Sequence, residues 1–182
     1  MHARGVLAQH GAKLSGKASA FNENLIRHML YAAEQGGFVK NGIYGGHHTA
    51  ELLRFADDNP TISIQQVKVK SVGGTTFREY RQYKWKDSSR PKPKPGSGKA
   101  PGESNFNPSE WDASVHPKTT FDDPAVMLHE AESGWGQYLA AHKPTVDFVT
   151  FTSPSGIKIG AYVDVTMTPP HPRTLFVEAS WL

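Results

Sequence analysis

The chain has 182 residues, a formal net charge of +3 and no cysteine. This length predicts one domain with a real core, and the lack of thiols excludes disulfides, thiolate metal ligands and cysteine nucleophiles. No apolar run approaches the ~18–20 residues of a membrane-spanning helix, and the amino terminus lacks the apolar core of a signal peptide.

The amino-terminal segment, residues 1–19, is rich in Gly, Ala, Ser and Lys, which indicates a flexible leader or a linker remnant. Residues 20–182 form the predicted domain. Its first element is a helix over 20–35, because apolar residues recur there at near-helical spacing and Gly36-Gly37 can end it. His28 falls on or beside the apolar face of this helix. Taken alone, such a histidine is more often a structural residue bonded to a backbone carbonyl.

Two glycines and two histidines follow in direct succession. A short strand or loop over 38–44 is expected to deliver Gly45-Gly46, and His47 and His48 then lead into a helix over 49–57. An imidazole exchanges protons near neutral pH, and one of the two rings could instead cap the helix. A metal site is disfavoured, because adjacent side chains diverge and no carboxylate completes a helical metal motif.

The middle of the chain predicts a β-hairpin over 61–86, with Gly73-Gly74 at the turn and a bulge at Gln65-Gln66. The return strand, 77–85, is basic and aromatic. This composition suits a nucleic-acid surface and, equally, an ordinary half-exposed strand. Residues 87–110 are rich in Lys, Pro and Gly and predict an extended or disordered loop inserted between strands.

The last part of the chain contains Lys118, which by itself would be an ordinary surface lysine. Asp122-Asp123-Pro124 is a typical helix start, and the helix is expected to end near Ala141. Three strands are predicted after it, over 145–152, 157–163 and 173–178. Helices followed by antiparallel strands, with one more helix inserted, indicate an α+β fold.

Two histidines and one lysine on three separate segments are the groups needed to cleave RNA without a metal. One imidazole takes the proton from the ribose 2′-OH, and the other protonates the leaving 5′-oxygen. The lysine stabilises the charge that builds on the phosphorane. Two imidazoles in these roles predict a bell-shaped pH–rate profile.

The ordered set of His28, Gly45-Gly46-His47, Lys118 and Thr174-Leu175-Phe176 resembles the EndoU family of endoribonucleases. It is most similar to the bacterial branch, found as carboxy-terminal toxin domains of polymorphic and contact-dependent inhibition systems. The resemblance covers roughly residues 20–181. It implies an EndoU-like fold of the RNase A/barnase-EndoU-colicin-RelE-like class, with amino-terminal helices packed with antiparallel β-sheets.

The resemblance also implies a mechanism, transphosphorylation that leaves a 2′,3′-cyclic phosphate. In that mechanism His47 is the general base and His28 the general acid, two roles that could be exchanged, and Lys118 neutralises the phosphorane. Thr174 and Phe176 would hold the base, although the family usually has Tyr at the second position. The role of His48 is open between orienting its neighbour, binding phosphate and capping the helix. No cofactor is expected, and manganese, used by the eukaryotic branch, is the alternative.

The expected substrate is single-stranded RNA or tRNA, and the expected partner is a cognate immunity protein. The domain is expected to be a monomer without membrane contact, and to be secreted or delivered into the cytoplasm of a target cell. Since no signal peptide is visible, an exported protein would carry its address elsewhere, and the hypothesis is that this segment was cut from a longer parent chain. The competing interpretation is a non-catalytic RNA- or protein-binding module on the same scaffold. Its histidines would be structural, and the basic strand and the Lys/Pro loop would do the binding.

Overall fold

The computed structural model describes residues 21–72 and 74–182, so the leader expected over 1–19 lies outside the described residues. The helices are α1 (Glu23–Leu30), α2 (Phe38–Asn41), α3 (Thr49–Asp58) and α4 (Pro124–Ala141). The strands are β1 (Ala32–Ala33), β2 (Tyr44–Gly45), β3 (Ile62–Val72), β4 (Thr75–Trp85), β5 (Trp111–Ala113), β6 (Lys118–Phe121), β7 (Phe148–Thr152), β8 (Lys158–Asp164) and β9 (His171–Val177). All strand pairs that join these elements are antiparallel, which confirms the α+β class.

The first helix is shorter than the sequence predicts. It ends at Leu30, because the chain becomes extended at Tyr31 and pairs Ala32 with Gly45 in a two-stranded ladder. The expected strand or loop that follows contains one helical turn instead, α2. Its flanking glycines both have positive φ, a conformation open to residues without a Cβ, so the chain can enter and leave a single turn sharply.

Besides the β1-β2 ladder, the described residues form two larger sheets. β3, β4 and β5 are neighbours in the first sheet, and β6 pairs with the other end of β4. The register of β3 and β4 shifts between Gln66 and Lys68, which confirms the predicted bulge to within a residue or two. Gly74 lies in the predicted turn with φ of 79°, whereas Gly73 lies outside the described residues. The second sheet has the order β7-β8-β9.

The return strand, β4, buries all four of its aromatic rings: Phe77, Tyr80, Tyr83 and Trp85. Tyr83 and Trp85 pack with Trp111 in a small aromatic cluster. These rings are therefore core residues. A nucleic-acid surface on this strand would therefore have no exposed aromatic ring on which a base could stack.

The Lys/Pro/Gly-rich segment between β4 and the 3-10 turn Pro108–Glu110 carries no helix or strand, yet it is tied down by hydrogen bonds. The Glu103 carboxylate accepts three backbone N–H groups of the segment. The Lys92 ammonium donates to the carbonyls of Ala56 and Ile62. The segment thus folds back on α3 and β3 instead of being extended or disordered, because side chains supply the bonds that a ladder would.

The main core lies between α1, α4 and the inner face of the β7-β8-β9 sheet. α4 begins as predicted, with the Asp123 carboxylate accepting two backbone N–H groups and Pro124 in the first turn. Its predicted stripe is confirmed at Met127 and Ala131, which are fully buried. No helix in the described part of the chain is both long and apolar enough to cross a membrane. The core covers one face of the β7-β8-β9 sheet, and residues of the opposite, outer face line the cavity described below.

Candidate active site

Three of the predicted residues converge on one cavity of about 470 Å³, although they come from three different elements. His28 comes from α1, His47 from the loop before α3, and Lys118 from the start of β6. The two imidazole centroids lie 5.8 Å apart. Thr174 and Phe176, on β9, line the same cavity.

The sixth predicted residue, His48, does not line this cavity. It is buried, and its ring stacks on Phe121 with centroids 6.1 Å apart. His48 is the N-cap residue of α3 by position, but its side chain makes no capping hydrogen bond. Its expected contact with substrate stays a prediction.

Two glycines fix the loop that presents His47. The Gly46 N–H donates to the carbonyl of His28 (3.1 Å), and the His47 N–H donates to the carbonyl of Met29 (2.8 Å). Gly45 has φ of +64°, and a Cβ there would lie 2.6 Å from the His28 carbonyl oxygen. Only glycine fits such a close approach, so the pair of glycines places one imidazole beside the other.

One nitrogen of His47 is fixed by the backbone. Nδ1 lies 3.0 Å from the Thr119 carbonyl oxygen, and a carbonyl only accepts, so Nδ1 carries the proton in the neutral ring. Nε2 is left with its lone pair. Burial, then the Lys118 and His28 charges, hold the pKa of His47 well below its usual value. The ring is therefore neutral at neutral pH and can accept a proton through Nε2.

His28 has a different environment. Its Nδ1 is buried and finds no hydrogen-bond partner among the described residues. Burial, followed by the charge of Lys118, lowers the pKa of His28 to about 4. A buried lone pair without a partner is tolerated better than a buried N–H without one, which favours the tautomer with the proton on Nε2. At neutral pH His28 thus offers the cavity a hydrogen-bond donor and resists becoming a cation.

Lys118 is buried, and its amine donates to the carbonyl oxygens of Ile43 (2.6 Å) and Gly45 (2.7 Å). Within the described chain no carboxylate lies within ion-pair distance of it. Burial lowers the pKa of Lys118 to about 7. A neutral amine has two N–H groups, which the two carbonyls satisfy, and the ammonium form has a third. That third N–H is free to bond an anion in the cavity.

The loop that receives Lys118 is itself held by a residue that sequence reasoning missed. Gln82, on β4, is buried; its side-chain oxygen accepts from the Ile43 N–H (2.7 Å), and its amide donates to the His116 carbonyl (2.9 Å). Its position inside a basic aromatic strand gave no signal of this role, since the partner residues lie far away in sequence.

Aromatic rings form much of the remaining wall, and most of them were also missed. Phe176 lies nearly parallel to the His47 ring, with centroids 6.0 Å apart and a 22° angle. Phe148 and Tyr162 line the cavity beyond it, and Tyr44 packs edge-on against His28 at 4.4 Å. The period-2 alternation of side chains along a strand could have placed Phe148 and Tyr162 on one face of the sheet.

The donor set does not fit manganese. Among the described residues no group of three or more His, Cys, Asp or Glu side chains is placed to hold a metal ion. Manganese prefers oxygen ligands, whereas the cavity offers one carboxylate, Glu178, and also contains Lys118, whose charge repels a cation. No chemical step is therefore assigned to this metal.

No protein-family model matches the chain, and no curated protein matches it in sequence.

Proposed function

We propose that this protein is an endoribonuclease that needs no metal and cleaves unpaired RNA by attack of a ribose 2′-OH on the adjacent phosphate. The observation that carries the proposal is the meeting of His28, His47 and Lys118 in one cavity with an aromatic wall. These residues supply a proton acceptor, a hydrogen-bond donor and a titratable cation, which are the needs of this reaction.

His47 acts as the general base. Nε2 takes the proton of the 2′-OH while the 2′-oxygen forms its bond to phosphorus. The resulting imidazolium keeps its Nδ1–H on the Thr119 carbonyl, a bond that becomes stronger when the ring is charged. The same bond holds the ring in the one tautomer that leaves Nε2 able to accept.

We propose that Lys118 donates the proton that the leaving 5′-oxygen needs. From the sequence, His28 was expected to have this role. As the bond from phosphorus to the 5′-oxygen breaks, the third N–H of the ammonium passes its proton to that oxygen. The neutral amine left behind keeps both N–H groups on the carbonyls of Ile43 and Gly45. Protonated His28 would instead carry a buried N–H without a partner. Its Nε2–H is suited to a phosphoryl oxygen.

The base of the cleaved nucleotide stacks on Phe176, whose ring faces His47. Thr174, two residues earlier on the same face of β9, contacts the edge of that base through its hydroxyl or backbone. Stacking of a base on an aromatic ring contributes about 1–3 kcal/mol and tolerates different bases. A phenyl ring offers no hydrogen bond, so base selectivity falls to Thr174.

The proposal is tested with two fluorescent RNA oligomers that differ at one position, a ribose or a 2′-deoxyribose at the cleaved nucleotide. We expect cleavage of the first and none of the second. His47→Gln should abolish cleavage yet bind the uncleavable oligomer nearly as tightly as the wild type. Cleavage at the deoxyribose would overturn the mechanism. Tight binding without cleavage by the wild type would favour the alternative, a binding module.

Several expectations from the sequence analysis remain predictions about this chain. They are the choice of tRNA as substrate, a cognate immunity protein, a monomeric state and delivery into a target cell.

A further inference from the structure

The outer face of the β7-β8-β9 sheet carries three aromatic rings close together, which we call the aromatic face: Phe148, Tyr162 and Phe176. Phe148 pairs with Tyr162 across β7 and β8, and their ring centroids lie 4.9 Å apart. Phe176 lies 6.2 Å from each of the other two, and its plane is within 18° of that of Phe148. The three rings thus form one continuous surface.

Packing of the core does not explain these rings. The core of this sheet lies on the opposite face, where Val149, Ile159 and Leu175 are buried. Phe148 is 38% exposed and Tyr162 46% exposed, although rings of this size are usually covered in a folded domain. Exposed aromatic surface next to a cavity is typical of a binding site.

A glycine shapes this face. Gly160 pairs with Phe176 across β8 and β9, and a Cβ at Gly160 would lie 2.8 Å from Cζ of that ring and closer still to a carboxylate oxygen of Glu178. Without the Cβ, the Phe176 ring lies down on the sheet, between His47 on one side and Phe148 on the other. The aromatic face therefore continues directly from the cavity.

We infer that the aromatic face binds a second unpaired nucleobase, adjacent in sequence to the one at the cleavage site. The inference rests on the proposed function and narrows its substrate to RNA with at least two consecutive unpaired nucleotides. Aromatic rings on a bare sheet can stack two or three successive bases of single-stranded RNA. Phe176 serves the base next to His47, and Phe148 with Tyr162 serves the neighbouring one.

The polar residues of this face favour RNA over a protein partner. Strand alternation places the exposed residues Thr150, Thr152 and Lys158 on the same face as the rings. The same face carries the Glu178 carboxylate beside Gly160, and this group can accept a hydrogen bond from a base or a ribose hydroxyl but not from a phosphate. The hydroxyls and the ammonium match the phosphates and hydroxyls of a nucleic-acid strand, and the rings match its bases. Lys118, whose third N–H serves a phosphate, lies in the cavity that the rings extend.

The test measures binding of fluorescently labelled 2′-O-methyl RNA trinucleotides, which cannot be cleaved, to the wild-type protein. The central base is kept, and the base on one side or the other is replaced by an abasic site. We expect the loss of one flanking base, and not the other, to weaken binding by roughly 5- to 100-fold, the range for base–aromatic stacking.

Matched variants assign this effect to the rings. Phe148→Ala and Tyr162→Ala should weaken binding of the intact trinucleotide and abolish the penalty of the abasic site. Tyr162→Phe keeps the ring and should bind like the wild type. Val69→Ala, at an exposed strand position on β3, is the control and should also leave binding unchanged.

The outcomes separate this inference from the proposed function. If neither flanking base matters, or if both alanine variants bind like the wild type, the inference is wrong. Cleavage of RNA by the same preparation would then leave the proposed function standing and point to a protein partner for the aromatic face. If the wild type neither binds nor cleaves RNA, both proposals are overturned.

Discussion

Lys118→Met should slow cleavage of RNA far more than cleavage of uridine 3′-(4-nitrophenyl phosphate). In the proposed mechanism Lys118 protonates the leaving 5′-oxygen, and a general acid contributes roughly 10²–10⁴-fold in rate. A 4-nitrophenolate leaves as a stable anion and needs no proton, so this part of the loss should vanish with that substrate. The part of the rate loss that is common to both substrates measures how much the charge of Lys118 stabilises the phosphorane.

The structure sets the pH dependence of this effect. Burial moves the pKa of Lys118 from 10.5 to about 7, a penalty of about 5 kcal/mol on the charged form at about 1.4 kcal/mol per pKa unit. The value of kcat/KM on RNA should therefore fall roughly tenfold per pH unit above about 7, as the ammonium is lost. Two ordinary imidazoles were expected to give the bell-shaped profile. In the proposed mechanism the alkaline limb is assigned to Lys118 instead, because burial lowers the pKa of both histidines.

His28→Ala is the matched control. Its Nε2–H is assigned to a phosphoryl oxygen that both substrates possess, so the variant should lose the same factor on each. The opposite pattern, in which His28→Ala spares the nitrophenyl substrate and Lys118→Met slows both equally, would refute the assignment and make His28 the general acid. Initial rates from pH 5 to 9, with melting temperatures for each variant, supply the comparison.

Three further predictions concern stability and packing. Burial lowers the pKa of His28 from 6.5 in the unfolded chain to about 4 in the folded protein, so acidification across that range should remove about 3 kcal/mol of unfolding free energy. Urea unfolding at several pH values should show a weaker dependence of stability on pH for His28→Asn. Gly160→Ala forces the Phe176 ring and the Glu178 carboxylate to move, so KM for RNA should rise by roughly fivefold or more while the melting temperature changes little; an unchanged KM would contradict the described packing. Glu103→Ala removes three bonds from the segment 86–107, so limited proteolysis there should accelerate without loss of RNA cleavage, and equal proteolysis rates would count against this tether.

Local chemistry made part of the fold predictable. The Asp-Pro start of α4 depends on a side chain within three residues of the N–H groups it accepts, and a sequence displays such neighbours directly. The bulge in β3 was visible as a phase shift in the alternation. The convergence of His28, His47 and Lys118 was accessible through the resemblance, since no periodicity links α1 to β6.

Long-range contacts account for what the sequence did not reveal. α1 ends early because Ala32 pairs with Gly45, a partner thirteen positions away that helical periodicity cannot anticipate. The order of the Lys/Pro segment depends on the Glu103 carboxylate and its backbone partners, which composition does not show. Phe148 and Tyr162 became recognisable as site residues once the sheet showed which face was bare.

The most direct test of the central claim is mass spectrometry of the RNA ends that the protein produces from total tRNA and from a short unpaired oligomer, with and without EDTA. The account predicts fragments that end in a 2′,3′-cyclic phosphate and 5′-hydroxyl partners, in equal yield with the chelator present. Products with 5′-phosphates, or cleavage that EDTA abolishes, would contradict it and indicate a metal-dependent nuclease.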